Sequence, residues 1–124
     1  MNPENIVDLL PLPVAQLHIL LALADGEKHG YAIMSEVEVM TGGSVTMGPG
    51  TLYGTVKRML NSRLLEEIDE RPDPVLDDQR RRYYRLTGLG ARVLTAEVAR
   101  MEQLARTAER KRTLGTRQLG LEGR

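Results

Sequence analysis

Two basic clusters carry most of the chemistry this chain has to offer. The first lies in Gly48-Pro-Gly-Thr-Leu-Tyr-Gly-Thr-Val-Lys-Arg-Met-Leu, and the second is the run Arg80, Arg81, Arg82 before two tyrosines. On a helix turning about 100° per residue, Leu52, Val56, Met59 and Leu60 share an apolar side. The opposite side holds Gly50, Gly54, Lys57 and Asn61, with Thr51 and Arg58 on one edge and Tyr53 on the other. Lysine, arginine, threonine and tyrosine are donors suited to phosphate oxygens and base edges. Each glycine costs a helix interior about 1 kcal/mol relative to alanine, but it lets the backbone approach an external surface closely. A helix seated in the major groove has such a neighbour. The competing account is that Gly50 belongs to the first turn and Gly54 only admits another helix. For Arg80, Arg81 and Arg82 the two accounts are contact with a phosphate backbone and pairing with Glu66, Glu67, Asp69 and Glu70 on the preceding strand. Exposed cross-strand pairs of that kind contribute only about 0.2–1 kcal/mol each.

Other chemistries fail on their spacing. Gly48 and Gly50 begin a dinucleotide-binding pattern, but Tyr53 stands where its third glycine is needed. No Gly-Lys-Ser/Thr follows, so a phosphate loop is not formed. Asp73, Asp77 and Asp78 lack the glycine and distal glutamate of a calcium loop. The histidines are His18 and His29, and the chain has no cysteine. A zinc site or a histidine-activated nucleophile has no constellation to build on. The expectation is therefore no enzymatic activity, no cofactor and no metal. His29, just ahead of a helix, is expected to be a structural or capping residue rather than a base.

The elements that must position the two clusters follow from periodicity and punctuation. Pro13 to Ala24 predicts a first helix with a stripe of Val14, Leu17, Leu20, Leu21 and Ala24. Ala15, Ile19, Ala22 and Leu23 widen its apolar surface almost all round, which implies burial on a second side, against another subunit. A second helix begins near His29 with Ile33, Val37 and Met40 in register, and stops at Gly42-Gly43. Pro49 opens the third. Leu64 to Arg71 and Arg80 to Leu86 predict the strands of a hairpin around the loop Pro72-Asp-Pro-Val-Leu-Asp-Asp. Thr87 is placed to cap a last helix carrying Leu94, Val98, Met101, Ala105 and Ala108.

A length of 124 residues supports one modest core. The absence of cysteine suits a reducing cytoplasm. The apolar run from Leu9 to Ala24 is broken by Pro11, Pro13, Gln16 and His18, and it falls short of the roughly 20 residues of a membrane span. No basic stretch precedes it as in a signal peptide. A soluble, cytoplasmic chain without membrane contact is expected. Net charge is zero, yet residues 80–124 hold 12 basic and 4 acidic side chains against 5 and 13 in the rest. Such asymmetry suits a polyanionic partner, or else mutual neutralisation within the fold.

Taken in order, the apolar first helix, His29-Gly30-Tyr31, Gly50-Thr51-Leu52-Tyr53 and Arg82-Tyr83-Tyr84-Arg85-Leu86-Thr87-x-x-Gly90 resemble the PadR-like family of bacterial transcriptional regulators. The resemblance covers Leu9 to about Ala108. It implies a mainly α fold with a small β-hairpin: a winged helix-turn-helix over residues 9–86 and a C-terminal dimerisation helix over 87–110. Residues 111–124 are expected to form a disordered tail. It further implies a homodimeric repressor that binds an inverted-repeat operator in double-stranded DNA and is released by a small effector. Carried over by position, Thr51, Tyr53, Lys57 and Arg58 would contact DNA from helix three, and Arg80, Arg81 and Arg82 from the wing. Leu17, Ile19 and Leu23 would meet Leu94, Val98, Met101 and Ala105 across the dimer. Gly54 stands where many members have proline, which loosens the helix start, and Arg63 where a glycine usually ends helix three, so that helix is expected to run on or to end less sharply. With no Trp and no Phe, the aromatic clamp of some drug-sensing members is missing. The alternative is a dimeric winged-helix interaction module that does not bind DNA.

Overall fold

The computed structural model describes residues 5–68 and 82–118. A 3-10 turn at Ile6–Leu9 leads into helix α1 (Val14–Ala22), strand β1 (Lys28–His29), α2 (Gly30–Met40), α3 (Pro49–Asn61), β2 (Leu65–Ile68), β3 (Tyr83–Leu86) and α4 (Gly88–Gln118). The three strands form one antiparallel sheet in the order β1-β3-β2. Leu65 faces Leu86 and Ile68 faces Tyr83 across the hairpin. On the other side of β3, Lys28 pairs with Tyr84 and His29 with Tyr83. Three helices followed by this sheet make the expected winged helix-turn-helix. Strand β1 is an addition that two residues could not announce by alternation.

Local signals explain the boundaries. The His29 Nδ1 accepts the Ala32 N–H at 3.2 Å and so caps α2 as expected. Gly42 and Gly43, at φ 60° and 82°, end α2 in a left-handed turn. Pro49 occupies the first turn of α3. The core draws on every helix: Ile19, Leu20, Ile33, Val37, Leu52, Val56, Met59 and Val93 are sealed from solvent, closed below by Leu64, Leu65 and Tyr84.

Helix α1 turns differently from the predicted stripe. Ile19, Leu20, Ala22 and Leu23 are buried, whereas Val14 and Leu21 are 64% and 38% exposed. Ile19 and Leu23 were expected at the subunit interface; they lie in the subunit's own core instead. A helix apolar all round gives no periodic cue to its inner side, and contacts with α2, α3 and α4 choose it.

The end of α3 is sharper than its sequence suggests. The Leu64 N–H donates to the Met59 carbonyl at 2.9 Å and the Arg63 N–H to the Leu60 carbonyl at 3.1 Å. This is a Schellman cap with Arg63 itself at φ 64°. An arginine there takes on the left-handed conformation that glycine adopts without strain. Arg63→Gly is therefore expected to raise stability by about 1 kcal/mol, read as a higher urea midpoint at unchanged slope.

Helix α4 continues through residues 111–118, where a disordered tail is expected from the sequence. Arg112 pairs with Glu109 and Arg106 with Glu102 and Gln103 along its surface, and residues 100–112 are mostly strong helix formers. These local interactions carry the helix past Gly115. At its start, the Gly90 N–H donates to Thr87 Oγ1 at 2.9 Å, the expected cap. The same hydroxyl donates to the Arg63 carbonyl at 2.6 Å, and the Thr87 N–H to the Leu64 carbonyl at 3.1 Å. The turn after α3, the end of β3 and the start of α4 are thus joined at one point. No helix among the described residues is long and apolar enough to cross a membrane.

Candidate nucleic-acid interface

The apolar side of α3 is used up by the core, which decides what its other side can do. Leu52, Val56 and Met59 are buried and Leu60 packs against them. Gly50, Thr51, Lys57, Arg58 and Asn61 are exposed. A methyl group at Gly50 would meet nothing within 4 Å, and one at Gly54 only the Arg58 Nη1 at 3.9 Å. Among the described residues no other helix occupies the glycine face, so packing against a described helix does not account for Gly54. Lys57 makes no ion pair among the described residues.

Arg58 is partly held in place. Its Nη2 donates to the hydroxyl of Thr55 at 3.2 Å, and that buried hydroxyl donates to the Thr51 carbonyl at 2.7 Å. The guanidinium therefore lies along the helix beside Gly54, with its remaining donors outward.

Tyr53 departs from its expected place among the DNA contacts. Its ring turns inward over the N-terminus of α2, where a Cβ on Gly30 would come within 2.4 Å of the phenol oxygen. Gly30 leaves the hole that the ring fills. Tyr53 packs against the core there, so its role is to seat α3 on α2. The neighbouring Tyr84 phenol is pushed above its ordinary pKa, first by burial and then by Glu67 and Tyr53. The pairing of His29-Gly30-Tyr31 with Gly50-Thr51-Leu52-Tyr53 in the sequence is, physically, this tyrosine over this glycine.

The wing arginines divide. Arg80 and Arg81 lie outside the described residues. Arg82 sits at the foot of β3, its Nε 3.1 Å from Glu67 Oε1, and Arg85 pairs with Glu66. Cross-strand pairing thus holds for Arg82. Its side chain is still 48% exposed, and an exposed pair contributes so little that a phosphate can compete for it. Among the described residues no cluster of His, Cys, Asp or Glu could hold a metal ion.

The residues expected at the dimer interface are also divided. Ile19 and Leu23 are internal, Leu94 is 8% exposed, Leu17 and Val98 are half-buried, and Met101 and Ala105 are open. Leu104, 54% exposed, joins Met101 on α4, as Val14 and Leu21 do on α1. Leu104 was legible as the residue three after Met101.

The sequence reading also missed Glu97, 1% exposed on the inner side of α4. Its Oε2 accepts the Leu12 N–H at 2.8 Å and its Oε1 accepts Arg100 Nε at 2.5 Å. The Arg100 guanidinium holds this carboxyl below the ordinary carboxylate range, helped by the Leu12 N–H and opposed by burial. A glutamate in the middle of the Leu94, Val98, Met101 seam was the available signal.

Residues 19–96 match the model of the transcriptional regulator PadR-like family. This chain belongs to that family. Its winged helix is the fold of other PadR-like regulators as well. The structure of Bacillus subtilis PadR in complex with operator DNA is 23% identical, with a TM-score of 0.61 over 71% of this chain and 47% of that one. Halobacterial RosR, from H. salinarum, is 25% identical, with a TM-score of 0.59 over 92% of this chain and 99% of that one. A 37.1 kDa protein of transposon TN4556 from Streptomyces fradiae is 36% identical over 91 residues, which is 73% of this chain. The aligned part spans only 24% of that relative's length.

Proposed function

We propose that this PadR-like regulator is a homodimeric repressor that binds an inverted-repeat operator and is released by a small effector. Each subunit lays α3 in one major-groove half-site, the half-sites about 34 Å apart. Thr51, Lys57 and Arg58 face the DNA, and Arg80, Arg81 and Arg82 reach the flanking phosphates. The observation that carries this reading is the outer side of α3: open, basic and glycine-lined, with no other described element of its own chain against Gly50 or Gly54. That the similar Bacillus subtilis PadR was captured on operator DNA supports it. Dimerisation uses Met101, Leu104 and Ala105 of α4 with Val14, Leu17 and Leu21 of α1, apolar side chains left wholly or partly uncovered by the subunit.

The test is fluorescence polarisation on a duplex from the protein's own promoter, beside a scrambled duplex, at several salt concentrations. Tight binding to the promoter alone, with a steep salt slope, is expected. Lys57→Ala should weaken binding to both duplexes and lower the slope by about 1. Equal, weak binding to both would instead favour the interaction module, which zero net charge and the paired Arg82 and Arg85 keep in view.

A further inference from the structure

We infer that Glu97 is a positioning residue that sets the direction in which α4 leaves the DNA-binding domain, and with it the separation of the two recognition helices. This rests on the dimeric reading above. Up to residue 115, Glu97 is the last fully buried residue along α4: Gly90, Val93 and Leu94 precede it in the core, and none of residues 98–115 is sealed from solvent. At this point the N-terminal turn packs against α4. The Leu12 N–H donates to the carboxylate from a residue 85 positions earlier in the chain.

An apolar side chain would fill the same place at less desolvation cost. Apolar burial is, however, non-directional and lets packed helices slide and lean. A charge-assisted hydrogen bond to a backbone N–H, backed by Arg100 on the solvent side, has one good geometry. It fixes both the rotation of α4 about its axis and its lean. The arm beyond is long: the helix from Glu97 to Gln118 extends roughly 30 Å at its usual rise. A lean of about 10° moves the far end by about 5 Å, more than one base-pair step of about 3.4 Å. Met101 and Leu104 ride on that arm.

The chain has no cysteine, so Asn61→Cys at the exposed end of α3 gives a single labelling position on the full-length protein. Spin labels there report the distance between recognition helices by double electron–electron resonance, with sedimentation equilibrium giving the mass. With Glu97 in place, one narrow distance is expected. Glu97→Leu, at unchanged dimer mass, should shift or broaden it by about 4 Å, since a lean of about 10° moves the contact at Leu104 by about 2 Å in each subunit. Glu97→Gln, which keeps an acceptor for Leu12 but loses the charge, should broaden it less. A dimeric Glu97→Leu protein with the parental distance distribution, however much less heat-stable, would overturn the proposal. If that variant does not fold, an unchanged distribution in Glu97→Gln does the same. A monomeric mass for the parent protein removes the dimeric reading itself, and is told apart from the other outcomes by the mass alone.

Discussion

Gly90→Ala should lose about 3 kcal/mol of folding free energy or more, out of the 5–15 kcal/mol typical of a domain. The added Cβ would lie 2.1 Å from the carbonyl oxygen of Leu64 and 3.1 Å from its carbon. The obstacle is backbone rather than a side chain that can swing aside. That carbonyl already accepts the Thr87 N–H, so moving it strains the link between α3, β3 and α4. Urea unfolding followed by circular dichroism gives the comparison. Gly50→Ala is the control, since nothing lies within 4 Å of its new methyl. A Gly90→Ala midpoint equal to that of the control would show that α4 does not press on the Leu64 turn.

Gly54→Ala should separate stability from binding. Within the subunit the methyl meets only the edge of Arg58, so helix propensity alone acts and stability rises by about 0.5–1 kcal/mol. On DNA the same methyl holds the α3 backbone away from the groove. Operator affinity is then expected to fall about tenfold, a loss of about 1.4 kcal/mol. Opposite signs in the two assays are the signature. A more stable protein with undiminished affinity would mean that α3 does not approach DNA along its glycine side.

Much of the fold was legible because punctuation and periodicity agreed. Pro49, Gly42-Gly43, Thr87 and His29 each stand where a cap or stop is needed, and each performs that task. The inner side of α3 was read correctly because its apolar and polar residues are segregated. Helix α1 lacks such contrast, so Ile19 and Leu23 were assigned to the wrong surface. Tyr53 was misplaced because a tyrosine at the edge of a helix can turn either way. What turned it was the missing side chain at Gly30, on another helix. Arg63 disguised a Schellman cap by standing in the left-handed position itself. Glu97 stood out as a glutamate within an apolar seam, but the backbone N–H of Leu12 that buries it leaves no mark in residue types.

The sheet has a consequence for how copies of this chain can meet. Strand β3 is the central strand, bonded on both sides, while the outer strands are β2 and the two-residue β1. β2 carries the adjacent carboxylates Glu66 and Glu67, both exposed and both engaged by arginines of its own hairpin. A strand so short and so charged is a poor template for a strand from another molecule. The ribbon is thereby guarded against templated growth, even where many copies crowd together. In the proposed dimer self-recognition is left to helices, whose association stops at a closed pair instead of running on as a fibre.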